Sequence, residues 1–165
     1  PDESGPAAAA ALGELGFEVV GVRVVPDGPP VGDALRAAVA EGYPLVVTTG
    51  GTGLAPDDVT PEQTAPLLDR TVPGLAEAVR AAGVASGATA AVLSRGVAGL
   101  AGRTLVVNLP GSTGAVVESL AAVGAALVHA VDQVGGGDHG RHGRAPGRQG
   151  DGPVAEDRDG GPVAQ

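Results

Sequence analysis

The stretch that decides the fold is Leu45–Pro61, LVVTTGGTGLAPDDVTP. Leu45–Thr49 is a short apolar run, the pattern of a strand buried on both faces. It runs directly into Gly50-Gly51-Thr52-Gly53, where glycine lets the backbone turn sharply and present N–H groups outward. Asp57 and Asp58 follow. Thr60-Pro61-Glu62-Gln63 then reads as a capping box with proline at the first helical position. A strand, a glycine turn and a helix in that order form the repeating unit of an open α/β sheet. In such sheets the ligand crevice lies beyond the carboxyl ends of the strands.

Working outward, the chain keeps alternating. Upstream, Ser4–Leu15 is alanine-rich, with Ser4 placed to cap a helix and Gly16 to end it. Phe17–Val25, FEVVGVRVV, has the β-branched content of a strand and stops at Pro26-Asp27-Gly28. Val31, Leu35 and Val39 recur at helical spacing before Gly42. Downstream, Pro66 is expected to shorten or kink the helix that Thr60 starts. Pro73–Ala82 reads as a helix closed by Gly83. Ala90–Leu93 and Thr104–Leu109 read as strands, and Val116, Leu120, Val123, Leu127 and Val131 share one face of a long last helix. This order predicts a three-layer α/β/α domain around a mostly parallel sheet. Because the chain opens on a helix, the sheet is expected to lack its first strand. Residues 1–134 are read as this domain, N-terminally incomplete, and the Gly/Pro-rich residues 135–165 as a disordered tail or linker.

Composition narrows the chemistry. Of the 165 residues 43% are apolar, but Phe17 and Tyr43 are the only aromatics, so Ala, Val and Leu must fill the core. Cysteine is absent, which removes disulfides, thiolate metal sites and thiol nucleophiles. Every basic residue is arginine, so neither a phosphate-loop lysine nor a Schiff-base lysine exists. The net charge of −9 argues against a nucleic-acid partner. The lack of an uninterrupted 18-residue apolar run argues against a membrane span. An acidic chain can still hold phosphate ligands through backbone N–H groups and a divalent cation.

Three turns at strand ends are candidates for that role. One is Gly50–Gly53 with Asp57 and Asp58. The second is Asn108–Gly114, NLPGSTG, where Gly111, Ser112 and Thr113 precede a helix N-terminus that attracts anions. The third is Val25-Pro26-Asp27-Gly28. Asp27, Asp57 and Asp58 could meet along one rim, where Mg2+ would compensate their charge. Plainer readings stand beside these: tight turns, a solvated Asp57, and Ser112 or Thr113 serving only as a helix cap. His129 is read as a helix-surface residue, and His139 and His142 as tail residues.

The motifs together resemble the molybdopterin-binding family, which includes the Mog- and MoaB-type molybdopterin adenylyltransferases and the G domain of gephyrin. TTGGTG followed by Asp58-Val59-Thr60-Pro61 is similar to its signature. Ser4-Gly5-Pro6, Val25-Pro26-Asp27, Pro73-Gly74 with Glu77 and Arg80, Leu93-Ser94-Arg95 and Leu109-Pro110-Gly111-Ser112 resemble further segments in the same order. The likeness covers roughly residues 2–134. It implies a cytoplasmic homotrimer or hexamer in molybdenum cofactor biosynthesis, with ATP and molybdopterin as substrates, Mg2+ as cofactor and other molybdenum cofactor enzymes as partners. Asp27 and Asp58 would be catalytic and would hold the metal. Gly50, Gly51, Thr52, Gly53, Ser94, Pro110, Gly111, Ser112 and Thr113 would bind substrate. The alternative within the same resemblance is a molybdopterin-binding domain of the insertion or scaffold type. The family opens with a strand and an S-x-R segment that this sequence does not show.

Overall fold

A computed structural model of the chain describes residues 2–136. The expected tail therefore lies almost wholly outside the described residues. The elements are α1 (Ser4–Glu14), α2 (Pro29–Glu41), β1 (Leu45–Thr49), α3 (Thr60–Thr64), β2 (Arg70–Thr71), α4 (Pro73–Ala85), β3 (Ala98–Ala101), β4 (Thr104–Leu109) and α5 (Thr113–Val134). Single 3-10 turns stand at Ala65–Leu67 and Thr89–Leu93.

The strands form one sheet in the order β1-β4-β3-β2, and helices cover both faces. The three-layer α/β architecture is therefore present. The sheet, however, is mixed: β1 and β4 are parallel, whereas β3 pairs antiparallel with β4 and with β2. The reason is local. Gly102, at φ 59°, and Arg103 join β3 to β4 as a two-residue hairpin, and hairpin strands must run antiparallel.

β4 is the centre of the molecule. All six of its residues are buried, and they alternate between layers. Leu105, Val107 and Leu109 face the larger core, with Leu75 and Val79 of α4, Val116, Leu120, Val123 and Leu127 of α5, and Ala8 and Leu12 of α1. Val106 faces the smaller core, with Val31 and Leu35 of α2. α5 is long and apolar enough to cross a membrane by composition alone. Here its apolar stripe is the face packed on the sheet.

Several expected elements take other forms. Phe17–Val25 forms no strand, and Val19, Val20, Val22 and Val24 are exposed. β-branched content favours extension, but a strand also needs a ladder partner, and this run pairs with none of the four described strands. Ala90–Leu93 falls in a 3-10 turn rather than a strand. β2 and β3 were not foreseen, being short and, in β3, built largely of Ala and Gly. Gly83 does not close α4, which continues to Ala85 before Gly87 turns at φ 98°. Its role is close approach, since a Cβ there would sit 2.5 Å from the Ala91 Cβ. Ser4 is not the cap of α1. The Asp2 carboxylate accepts from the Ser4 and Gly5 amides, and these bonds, chiefly that from Gly5, hold its pKa below the usual carboxylate value. Pro66 behaves as expected and turns the end of α3 into a 3-10 turn.

Asn108 fastens the smaller layer to the sheet. Its Nδ2 donates to Thr48 Oγ1 at 2.9 Å and to Thr64 Oγ1 at 3.0 Å, and its Oδ1 accepts from the Val97 amide at 3.1 Å. The residue is 2% exposed, so losing these bonds strands buried polar groups without water to replace them. Asn108→Ala is expected to lower stability by about 2–3 kcal/mol in urea unfolding. A loss below about 0.5 kcal/mol would show that the network contributes nothing net.

Candidate functional site

The parallel register of β1 and β4 sets Thr49 opposite Leu109, so the two strands end side by side. The Gly50 amide donates to the Leu109 carbonyl at 3.1 Å and carries the pairing one residue past the ladder. Beyond it, the two strand-to-helix turns touch. A Cβ on Gly111 would lie 3.2 Å from the Gly50 Cα. Side chains at both positions would push the turns apart.

The first turn folds on itself beyond this point. Gly50 and Gly51 have φ of 86° and 64°, a region L-residues rarely adopt. The Gly51 carbonyl accepts from the Thr60 amide at 3.0 Å. A Cβ on Gly51 would lie 2.3 Å from Thr60 Oγ1 and 3.2 Å from Asp27 Oδ1. Asp27, Gly51 and Thr60 are thus brought together. Asp58 turns back toward Gly53, and its Oδ2 accepts from the Ala55 amide at 3.0 Å while its own amide donates to the Ala55 carbonyl. The amides of Gly51, Thr52 and Gly53 find no backbone acceptor among the described residues, which leaves them free to donate to an anion.

These turns form one wall of a cleft of about 500 Å3. Gly50–Leu54 and Asp58 lie on that wall, beside Pro110, Gly111, Ala115 and Ser119. Opposite stand Val79, Arg80 and Gly83 of α4, with Ala88, Ala90, Ala91, Leu93 and Ser94. Ser94 Oγ donates to Thr52 Oγ1 at 3.4 Å. Of the expected site residues, Gly50, Gly51, Thr52, Gly53, Asp58, Ser94, Pro110 and Gly111 share this cleft. Asp27 stands at Gly51 on its rim. Ser112 and Thr113 are exposed at the start of α5, and the Ser112 Oγ accepts from the Ala115 amide at 3.3 Å as the helix N-cap. Asp57 is exposed, and His129 sits beside Gln133 within α5. His139 and His142 lie outside the described residues.

The expected capping box does not form. α3 begins at Thr60 with no side-chain cap, because Thr60 Oγ1 is turned toward Gly51 and Gln63, the box's second member, is turned toward Gly32 of α2; the neighbouring Glu62 carboxylate accepts a hydrogen bond from Arg95. That hydrogen bond lowers the Glu62 pKa. The contact is therefore present above the ordinary glutamate range and is lost as pH falls through the depressed folded value. Arg95 and Arg80 had been quoted only as motif letters. Their signal is only that they are arginines in a chain without lysine.

Among the described residues no cluster of three or more His, Asp or Glu could hold a metal by itself. Mg2+ is commonly bound by one or two carboxylates plus substrate phosphates. Asp27 and Asp58, on either side of a phosphate-sized turn, suit that mode.

The sequence profile of a family described as "Probable molybdopterin binding domain" matches residues 1–130. The chain is 41% identical over 138 residues to the molybdenum cofactor synthesis protein cinnamon of Drosophila melanogaster, covering 81% of this chain and 23% of that protein. It is 43% identical over 103 residues to the molybdopterin adenylyltransferase of Haemophilus influenzae, covering 61% of this chain and 52% of that protein. A molybdopterin biosynthesis protein from Mycobacterium abscessus superposes with TM-score 0.80 at 47% identity, covering 82% of this chain and 87% of that one. The chain spans less than half the length of the first curated relatives it matches.

Gly51→Ala is expected to destabilise by about 2–3 kcal/mol, since it combines a positive φ with displacement of Thr60. Gly74→Ala, in open space on α4, should be neutral or stabilising by up to about 1 kcal/mol. Urea unfolding of the pair checks the contrast. Equal effects would mean that the tight turn is not under this constraint.

Proposed function

The chain belongs to this molybdopterin-binding family, and from that membership we propose that it is a molybdopterin adenylyltransferase acting in molybdenum cofactor biosynthesis with Mg2+ and ATP. The observation that carries the reading is the contact between Gly50 and Gly111, which sets two anion-binding turns against one another on a single cleft wall. The name of the Haemophilus influenzae relative supports the same reaction.

In this reading a terminal phosphate oxygen of molybdopterin attacks the α-phosphorus of ATP. The bond from that phosphorus to the bridging oxygen breaks, and pyrophosphate leaves. A phosphate is already ionised at neutral pH, so the step needs no general base. That suits a cleft wall with neither His, Lys nor Cys. The chain's own task is to position and neutralise charge. The free amides of Gly51, Thr52 and Gly53 cradle one phosphate group, and the α5 N-terminus, at Gly111, Ser112 and Thr113, attracts another. Thr52 and Ser94 offer hydroxyls, and Arg80 stands on the opposite wall. Asp58 and Asp27 would hold Mg2+, which when bound supplies neutralising charge to the phosphates. The same reading carries a homotrimer or hexamer in the cytoplasm, passing product to other molybdenum cofactor enzymes. Exposed Val84, Val92, Leu93 and Val117 suit such an assembly.

The test is pyrophosphate release from ATP and Mg2+, with and without molybdopterin. Asp58→Asn retains an acceptor for the Ala55 amide and removes the charge. Pterin-dependent release is expected in the parent chain and should fall on the order of 100-fold in the variant. Equal release would remove Asp58 from the reaction. Pterin binding without release, from a chain folded by circular dichroism, would favour a binding domain of the insertion or scaffold type.

A further inference from the structure

Arg95 grips the first turn along its whole length. Its backbone amide donates to the Thr52 carbonyl at 2.8 Å and its Nε to the Gly53 carbonyl at 2.8 Å. One terminal nitrogen donates to the Asp58 carbonyl and the other to the Glu62 carboxylate on α3. One side chain thus spans the loop from Gly53 to the helix that follows it. Between those points Leu54, Ala55, Pro56 and Asp57 are all exposed. Apart from Arg95, the segment is held by the reciprocal Ala55–Asp58 bonds, by Thr60 against Gly51 and by the Ser94 hydroxyl on Thr52.

Arg95 is itself anchored. Arg80 of α4 donates to the Ser94 carbonyl at 3.3 Å and to the Gly96 carbonyl at 3.2 Å, bracketing it in sequence. A planar fork of fixed donors reaches several carbonyls at once, which a lysine ammonium on a flexible stem does not reproduce. Removing the fork would leave the exposed Leu54–Asp57 segment to order itself on binding, against its conformational entropy.

We propose that Arg95 is a positioning residue that holds the Thr52–Asp58 segment in the shape whose amides and carboxylate meet the phosphates. It deepens the nucleotide-binding reading above and rests on it for the ligand. When only a fraction of molecules has the loop closed, apparent affinity falls by that fraction while turnover of the bound state is preserved. Ligand affinity should therefore fall by the factor through which the closed fraction falls, whereas exchange reports the opening itself.

The experiment uses the full chain with Arg95→Gln and Arg95→Lys. Hydrogen exchange is followed without ligand, Mg–ATP binding by calorimetry, and pyrophosphate release at saturating ATP. Expected in both variants is exchange about tenfold faster at the hydrogen-bonded amides of Ala55, Asp58 and Thr60, with no change across Val116–Leu127. The dissociation constant for Mg–ATP should rise by the factor through which the closed fraction falls, with kcat within about threefold of the parent. Unchanged loop exchange in Arg95→Gln would overturn the proposal. So would acceleration spread evenly through α5, which would mark general destabilisation, or full recovery in Arg95→Lys, which would mark charge alone. A loop-confined increase in a chain whose parent binds no Mg–ATP would uphold the positioning role and sink the nucleotide reading instead.

Discussion

The contact between Gly50 and Gly111 is the constraint on which the rest depends. Two parallel strands that end in register put their following turns in the same place. A side chain at Gly111 would crowd the Gly50 backbone there, so the glycine keeps the two turns in close contact. Everything that makes a strict register possible is upstream of that point. β4 is buried along its full length, its alternation serves two cores at once, and a slip of one residue would send Asn108 into the apolar layer and Leu109 out of it. The cleft is thus a by-product of sheet packing, and the loop residues inherit their precision from side chains that never meet a ligand.

Much of this was legible because the signals were local. Leu45–Thr49 and Thr104–Leu109 announced strands by apolar content, and the glycine turns after them announced the site. Val116 to Val131 announced α5 by spacing. What stayed hidden depended on partners distant in sequence. β3 contains little more than Ala, Gly and Leu and becomes a strand through β4 and β2 on its two sides. Phe17–Val25 has the residues of a strand and no ladder among the described ones. Thr60 and Gln63 spelled a helix cap, but tertiary surroundings at Gly51 and at Gly32 of α2 drew both side chains away. Arg95 could be read as a motif letter, whereas its reach over the Gly53 and Asp58 carbonyls exists only in three dimensions.

In the proposed function an acidic chain receives phosphates and must keep its own charge from repelling them. Here two of the negative side chains near the cleft have local partners. Glu62 is matched by Arg95, and one oxygen of Asp58 accepts a backbone amide. The surfaces left facing an anion are main-chain N–H groups and a helix N-terminus, partial charges fixed by the fold that do not titrate. Arginine in place of lysine serves the same end, since a delocalised cation can satisfy several carbonyls at once.

The outer edge of β1 has its own consequence. Among the described residues β1 pairs only with β4, and the extended, valine-rich Phe17–Val25 run is exposed. Unpaired main-chain groups beside β-branched side chains form a template onto which further strands can be added. Mutual repulsion between copies at net charge −9 opposes such stacking, and it disappears near the isoelectric point of about 4.6. In mild acid this edge is therefore one surface on which copies can associate, quite apart from whether the domain stays folded there.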